Sequence, residues 1–423
     1  MAAVDSPPPA APRWAQFLGL RGSVVGLLAA VVLIGMGERL GDRFQPIYLL
    51  ALGAAAAVPG YVNGLTNVLG ALYAFPGGWL STRLGYRRAL LLFNLVALAG
   101  YVLAAAVPHW AAVVAGAVLF QAWTTLSLPA TMDLIGSVLP KNKHTMGVSM
   151  HSLVRRIPMA IGPVVGGVLI DRYGVATGVR IAFAAAAVLA LAALALQQRL
   201  IHEAPRGAET PLRWRDVPAL IPPPLRVLLG ADILVRFCEQ LPFAYLAIWV
   251  MNDPAGARLS ATQFGALTAI EMATAVLIYV PVAWLADRGE KKPFIVTTYV
   301  FFTLFPLVLL YARSFPLLVA AFVVRGLKEF GEPTRKALIL DLAPEGRKAA
   351  AFGAYYLVRD CIVGVVALAA GWLWQTGPAV NLLTAAGCGL AGTLMLAVWG
   401  QDGARPAVLE KARSTWPTDG AGG

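Results

Sequence analysis

The sequence predicts an all-α membrane protein of twelve transmembrane helices, arranged as two six-helix bundles related by a parallel repeat. The first observation is composition: 58% of the 423 residues are hydrophobic and 13% are charged, whereas a soluble domain has roughly 25% charged residues. The second is a series of apolar stretches, each long enough to cross a hydrocarbon layer of about 30 Å. The third is an internal repeat, because residues 76–83 (PGGWLSTR) resemble residues 281–288 (PVAWLADR).

The predicted spans follow one another through short connections, with one long connection at the centre of the chain. The centre is rich in proline, including Pro205, Pro211 and the run 222–224, and it separates the two copies of the repeat. The spans are predicted near residues 22–50, 58–80, 88–108, 111–138, 146–171, 177–198, 226–251, 261–286, 292–313, 315–341, 348–374 and 379–400. The resulting divisions are an N-terminal segment 1–21, an N-terminal bundle 22–198, a central loop 199–225, a C-terminal bundle 226–400 and a tail 401–423.

Lysine and arginine residues of the loops predict the orientation. If the N-terminus is cytoplasmic, most basic loop residues face the cytoplasm, and the outer loops keep only Arg172, Arg180, Arg258 and Arg313. Such a bias is typical of membrane proteins. We therefore expect a multi-pass protein of the cell membrane with both termini in the cytoplasm. The net charge of +12 then reflects loops beside the lipid bilayer, and no nucleic-acid partner is expected.

Several classes of protein are disfavoured by what the sequence lacks. The three cysteines, Cys238, Cys361 and Cys388, lie in apolar spans without metal-ligand spacing, so no metal and no cofactor are expected. No Gly-Lys dipeptide occurs, which disfavours a phosphate-binding Walker loop and an ATP-driven pump. His144 and His151 have no acidic residue at catalytic spacing, so an enzyme is not expected. We expect a monomer.

The loop after the second span carries a family resemblance. Residues 78–88 (GWLSTRLGYRR) resemble the signature loop of the major facilitator superfamily, and residues 287–292 (DRGEKK) resemble its weaker second copy. The resemblance implies a twelve-helix transporter in which the acidic residue of this loop stabilises the closed cytoplasmic side. Thr82 stands where the family usually has Asp, which leaves Asp287 as the acidic residue of the two copies. The gating residues it implies are Gly78, Thr82, Arg83, Gly85, Arg87, Asp287 and Arg288.

A second likeness lies in span five. Gly162, Pro163, Gly166 and Gly167 resemble the Gly-Pro-rich motif of the superfamily's antiporters, although Pro158 replaces its upstream glycine. Small residues of this kind let helices approach closely and slide. The likeness favours export, and ordinary small-residue packing is the alternative explanation.

Charged residues inside the spans predict the functional site. A charge at the bilayer centre costs about 2.5 to 3.5 kcal/mol, so these residues should face the protein interior or a wet cavity. They fall on spans one, four, five, seven, eight, ten and eleven, which in the superfamily line the central cavity. On a continuous helix, span ten would present one charged face made of Arg325, Lys328, Glu329, Glu332, Arg335 and Lys336.

Protons are the expected coupling ion because carboxylates in a cavity can load and release them. We assign proton coupling to Glu329, Glu332, Glu38, Asp42, Glu239 and Glu271. We assign substrate binding to Arg325, Lys328, Arg155, Arg359, Arg236 and Arg39. A purely structural ion-pair network is the alternative for both sets.

Together these features favour proton-coupled export, by antiport, of a small organic solute through alternating access. One alternative is a proton-coupled symporter that imports an organic anion at Arg155 and Arg359, which correspond to each other in the repeat. Paired arginines suit a carboxylate or phosphate group. Another is a receptor on the same fold that moves no solute.

Overall fold

The structure is a computed structural model and describes residues 22–84, 86–121, 144–200, 217–286, 290–345 and 347–402. Within these ranges all regular secondary structure is helical. Helices α1 to α7 form the N-terminal half and helices α8 to α16 form the C-terminal half. A single helical turn, Val217–Leu220, precedes α8.

The helices of the N-terminal half are α1 (Gly22–Gly41), α2 (Gln45–Ala51), α3 (Val58–Leu84), α4 (Tyr86–Ala106), α5 (Trp110–Gln121), α6 (His144–Tyr173) and α7 (Val175–Leu200). The helices of the C-terminal half are α8 (Pro223–Phe243), α9 (Leu246–Met251), α10 (Ala261–Ala286), α11 (Lys291–Tyr311), α12 (Phe315–Leu327), α13 (Glu332–Leu342), α14 (Lys348–Ala367), α15 (Ala369–Thr376) and α16 (Pro378–Trp399).

These helices follow the predicted spans closely, except that most of span four lies outside the described residues. By length and composition, six described helices are apolar enough to cross a membrane. Those segments are Arg87–Ala106, Val175–Arg199, Ala261–Ile278, Lys291–Tyr311, Ala350–Thr376 and Pro378–Trp399. The helices at spans one, two, five, seven and ten are interrupted or carry more polar side chains, which is expected of helices that line a polar interior.

Span ten differs from the prediction of one continuous helix over 315–341. Helix α12 ends at Leu327 and α13 begins at Glu332, with a turn between them. Pro333 explains part of this break, because proline has no N–H and disfavours the helical conformation at the preceding residue. The Gly331 N–H is instead accepted by the hydroxyl of Thr298 at 2.5 Å. The predicted charged face of span ten is therefore divided between two helices and a turn.

Spans one and seven are also bent. The 3-10 turn Asp42–Phe44 separates α1 from α2, and Pro46 stands in the first turn of α2. In span seven, Ala244 and Tyr245 separate α8 from α9. These bends matter because they place side chains from the broken helices around the interior of the molecule.

Helix direction defines two ends of the molecule. We call the end where α6 meets α7 and α9 leads into α10 the distal end, and the end where α4 and α11 begin the proximal end. At the proximal end, Arg87 donates to the side chain of Gln198 at 2.8 Å, and Lys291 pairs with Asp341.

The most extensive helix contacts between the halves are those of α6 with α10 and of α3 with α14. Their glycines allow the close approach. A Cβ on Gly64 would lie 2.6 Å from Leu368, and one on Gly364 would lie 2.7 Å from Val68. A Cβ on Gly167 would overlap the carbonyl oxygen of Ala261. Larger residues would therefore force these helices apart.

Polar contacts also join the halves at the distal end. The Asp171 carboxylate, at the end of α6, accepts the N–H groups of Ala261 and Thr262 at 2.9 and 2.8 Å. The Tyr245 hydroxyl accepts the Gly60 N–H at 3.2 Å and donates to the carbonyl of Ala56 at 3.0 Å. The halves are thus held together at this end.

Candidate functional site

The intramembrane charges gather on α1, α6, α8, α10, the α12–α13 region and α14, between the two halves. They form two groups in the C-terminal half, one group in the N-terminal half and one pair between the halves. Within the described ranges, no three His, Cys, Asp or Glu side chains come together to hold a metal ion.

The first group surrounds Asp232 of α8, whose side chain is fully buried. Arg335 pairs with one of its oxygens, and Arg359 lies 3.4 Å from the other. Tyr355 donates to the same carboxylate at 3.0 Å. Glu332 lies 2.7 Å from Arg335. This Asp232 group satisfies a buried charge with several partners, which is the arrangement that a low-dielectric interior requires.

The second group surrounds Glu271 of α10, also fully buried. Arg325 lies 3.2 Å from Glu271, and Lys328 lies 3.3 Å from it. Lys328 also donates to Glu239 at 2.7 Å, and Arg236 donates to the other oxygen of Glu239 at 2.6 Å. This Glu271 group joins α8, α10 and the break in span ten.

Arg236 connects the two groups, because it also lies 3.3 Å from Glu332. The predicted proton-coupling residues Glu239, Glu271 and Glu332 are therefore all paired with cations. The predicted substrate-binding residues Arg236, Arg325 and Lys328 are paired with those same carboxylates.

Arg39 organises the third group, on α1. It lies 3.3 Å from Glu38 and donates to Asp42 at 2.6 Å. All three side chains are partly exposed. Glu38 and Asp42, predicted to couple protons, thus share one arginine that was predicted to bind substrate.

One ion pair between described residues crosses from one half to the other. Arg156 of α6 donates to Glu329, in the turn between α12 and α13, at 3.0 Å. The side chains are 19% and 23% exposed, so both keep part of their surface accessible. The sequence drew attention to Glu329 but not to Arg156 as its partner, because nothing in the local pattern links residues so distant in the chain.

Two further arginines have no carboxylate oxygen within 4.0 Å in the described part of the chain: Arg43 and Arg155. Arg43 lies 5.0 Å from the ring centre of Phe243. Arg359, the predicted partner of Arg155, instead pairs with Asp232 and Asp360. Arg155 and Arg359 thus have unlike surroundings despite their corresponding positions in the repeat.

A polar contact between α3 and α8 was also missed by sequence reasoning. Asn63 and Asn67 each donate to the side-chain oxygen of Gln240 at 3.2 Å. Three isolated amides in apolar stretches gave no periodic signal that would have identified them.

Some of the predicted gating residues lie within the described residues and the others lie outside them. Arg87 contacts Gln198 as described, and Gly78, Thr82 and Arg83 belong to the last turns of α3, although their side chains lie outside the described part of the structure. Gly85, Asp287 and Arg288 lie outside the described residues altogether.

The Gly-Pro-rich motif is placed at two helix contacts. A Cβ on Gly162 would lie 2.6 Å from that of Arg39, and one on Gly166 would overlap the carbonyl oxygen of Leu40. Pro163 lies against Gly265 of α10, next to the contact of Gly167 with Ala261. The motif therefore allows α6 to approach both α1 within its own half and α10 of the other half.

The arrangement resembles known transporters. The sequence profile described as Major Facilitator Superfamily matches residues 27–252 and 228–418. No curated protein matches the sequence. A structure of the peptide transporter POT in complex with sulfate has a TM-score of 0.71 at 15% identity, covering 89% of this chain and 93% of that chain.

Two other solved structures show the same fold. A variant of the nucleoside transporter NupG has a TM-score of 0.74 at 12% identity, covering 89% of this chain and all of that one (100%). The human organic anion transporter MFSD10 (TETRAN) has a TM-score of 0.62 at 17% identity, covering 89% of this chain and 99% of that one. The twelve-span prediction and the parallel repeat agree with these findings. The chain therefore belongs to the Major Facilitator Superfamily, and it is a multi-pass membrane protein of the secondary-transporter kind rather than an enzyme.

Proposed function

We propose that this protein exports a small organic solute in exchange for protons, by alternating access of a cavity between residues 22–198 and 226–400. The observation that carries this proposal is the ion pair between Arg156 and Glu329, at 3.0 Å, which joins the two halves. We propose that one chain suffices, because both walls of the cavity come from the same polypeptide.

The coupling argument follows from the position of this pair. Protonation of Glu329 removes its charge and so weakens the attraction to Arg156. Separation of the halves removes Arg156 from Glu329 and so takes this counter-charge away from the carboxylate. Proton binding and the movement of the halves are then thermodynamically linked, and each must affect the other.

The orientation argument uses the loop charges. Because the basic loops favour a cytoplasmic proximal end, the distal contacts of Asp171 and Tyr245 close the outer side. The described conformation then corresponds to a transporter closed to the outside. Opening that side requires these contacts to break, as alternating access demands.

The direction argument uses the Gly-Pro-rich motif. Gly162 and Gly166 bring α6 against α1, while Gly167 brings it against α10. Helix α6 is therefore in tight contact with both halves, and small residues at such contacts suit helices that slide. This supports the antiport suggested by the motif, and thus export.

The test is solute-driven proton movement in proteoliposomes that contain an internal pH-sensitive dye. Solutes that stabilise the purified protein against heat would be used as substrates. We expect Glu329→Gln to lose proton movement while keeping exchange of labelled solute, because the glutamine cannot load a proton. Glu345→Gln is the matched control, since Glu345 is 89% exposed and pairs only with a nearby lysine in the described structure.

Normal proton movement by Glu329→Gln would refute this assignment and return coupling to Glu332, Glu38, Asp42, Glu239 or Glu271. Absence of any solute exchange by the unaltered protein would instead favour a receptor that moves no solute. Proton movement in the same direction as the solute would favour a symporter.

A further inference from the structure

The cations of the cavity are not fully matched by acids. Every carboxylate of the groups described above has a cationic nitrogen within 4.0 Å. This holds for the two groups of the C-terminal half, for the Arg39 group and for the pair between the halves. Arg43, in the bend of span one, and Arg155, on α6, have no such partner in the described residues. Two arginines of this region therefore form no ion pair within 4.0 Å in the described residues, although Glu271 and Asp42 still act on Arg43 at longer range, and Glu38 on Arg155.

Both arginines keep part of their surface exposed, although burial desolvates their guanidinium groups. None of their nitrogens is among the buried polar atoms that lack a hydrogen-bond partner. A charged group inside a membrane protein that lacks an ionic partner should contact water or an ion, because full desolvation is costly.

Of the two arginines, Arg43 has more neighbouring groups that could contact a ligand. Its guanidinium carbon lies 5.0 Å from the ring centre of Phe243, and that of Arg325 lies 5.8 Å from the same ring. Arg325 pairs with Glu271 at 3.2 Å, whereas Arg43 has no carboxylate oxygen within 4.0 Å in the described residues. An anionic group beside Arg43 would therefore also meet an aromatic surface and a second guanidinium.

The position of Arg43 relates such a ligand to transport. Arg43 lies in the 3-10 turn that bends span one, and Phe243 is the last residue of α8, where span seven bends. Tyr245, two residues further on, makes the distal contacts with Gly60 and Ala56. A ligand at Arg43 and Phe243 would thus touch both halves just below the closed distal end.

Arg155 lies at another depth on the same wall. Gly162 packs against Arg39, and Arg155 precedes Gly162 by seven residues, about 10 Å along the helix at 1.5 Å per residue. Arg43 follows Arg39 by four residues, so it lies on the other side of the contact between Gly162 and Arg39 along the helix axis. Arg155 therefore adds to the positive potential of the cavity rather than to the same contact.

We propose that Arg43 is the primary binding group for the transported solute, and that this solute is a small organic anion with an apolar group that packs on Phe243. A guanidinium binds carboxylate, phosphonate and sulfonate groups through paired hydrogen bonds. This inference rests on the proposed transport function, which it makes more specific. The phosphate of an anionic lipid has the same chemistry, so the test must separate the two.

The test measures binding to the full-length protein in nanodiscs made only of phosphatidylcholine. The probes are benzoate and phenylphosphonate, with benzamide and benzylamine as neutral and cationic analogues of the same shape. We expect the anions alone to raise the melting temperature. Arg43→Gln should weaken their binding by about tenfold or more, the effect of losing a hydrogen bond to a charged group.

Arg43→Lys keeps the charge and should retain part of the binding even if Arg43→Gln is poorly folded. Arg155→Gln should have a smaller effect, because it changes only the potential. Arg180→Gln is the matched control: Arg180 is an exposed arginine at the distal end that donates to the carbonyl of Ala105, and its loss should leave binding unchanged.

Equal stabilisation by benzamide or benzylamine, no stabilisation by either anion, or unchanged binding in both Arg43 variants would overturn the proposal. It would also be overturned if phosphatidylglycerol stabilised the protein through Arg43 and the soluble anions did not compete. Anion binding through Arg43 without exchange of any solute would retain the site and refute the transport function. Proton-coupled exchange of benzylamine alone would retain the transport function and refute the anion site at Arg43.

Discussion

The distal contact made by Asp171 should set the balance between the two access states. Its carboxylate accepts the N–H groups of Ala261 and Thr262, at 2.9 and 2.8 Å, in the first turn of α10. These N–H groups have no partner within their own helix, and a negative charge is favourable there. The contact joins the two halves, so it exists only while the distal end is closed. Asp171→Ala should therefore favour the distal-open state.

The size of this effect follows from the number and exposure of the bonds. Hydrogen bonds to a charged group contribute about 1.5 to 3 kcal/mol when buried. Asp171 is exposed, and water replaces part of the contact once the halves separate. We therefore expect a total of about 1 to 2 kcal/mol, which is a shift of about 5- to 30-fold in the equilibrium. Asp171→Asn keeps one acceptor oxygen without the charge, so its shift should be smaller.

The measurement is the distance between two spin labels, at Ala176 in the N-terminal half and Ala255 in the C-terminal half. Both positions are exposed and distal, and the labelled protein would lack its three native cysteines. Asp171→Ala should move the distance distribution towards longer values. Arg172→Ala, at the neighbouring exposed residue, should not. A distribution in Asp171→Ala identical to that of the parent would refute the reasoning.

Two further predictions concern stability and orientation. Arg325→Ala should reduce the yield of monodisperse protein, because it removes a cation 3.2 Å from the fully buried Glu271; the loss should approach the lower end of about 3 to 5 kcal/mol, since Lys328 remains at 3.3 Å. Arg325→Lys should be milder, and a yield of Arg325→Ala equal to that of the parent would show that the pair is dispensable for folding. A reporter inserted near Gly256 should lie outside the cell and one fused after Gly289 should lie in the cytoplasm, because of the loop charges. The opposite labelling would reverse the orientation.

Much of the fold was predictable from the sequence because the bilayer restricts what can cross it. A span must satisfy its own backbone hydrogen bonds, so a long apolar stretch becomes a helix whatever its neighbours are. The prediction of 88–108 became α4 (Tyr86–Ala106), and that of 379–400 became α16 (Pro378–Trp399). Agreement is exact at span eight, where the prediction of 261–286 became α10 (Ala261–Ala286), although this helix carries the buried Glu271.

The bends were harder to predict, because hydropathy does not register a few residues that leave the helical conformation. Span ten is apolar before the break and polar after it, since α13 carries Glu332, Arg335 and Lys336, and a change in hydropathy alone does not show where a helix stops. The Gly331 N–H finds its partner in Thr298 of another helix. That replacement for a helical hydrogen bond depends on packing, which the local sequence does not reveal.

The candidate site divides in the same way. The sequence by itself determined which spans carry charge, since a charged residue within an apolar stretch is visible without a structure and must face the interior. Only the tertiary structure decided the partners: Arg156 with Glu329 across the two halves, Arg359 with Asp232, and Arg43 beside Phe243 without an acid. The physical reason is the separation along the chain over which each property is determined. Hydropathy and helix periodicity are properties of neighbouring residues, whereas an ion pair depends on a distance of a few ångströms between side chains that are often far apart in the chain.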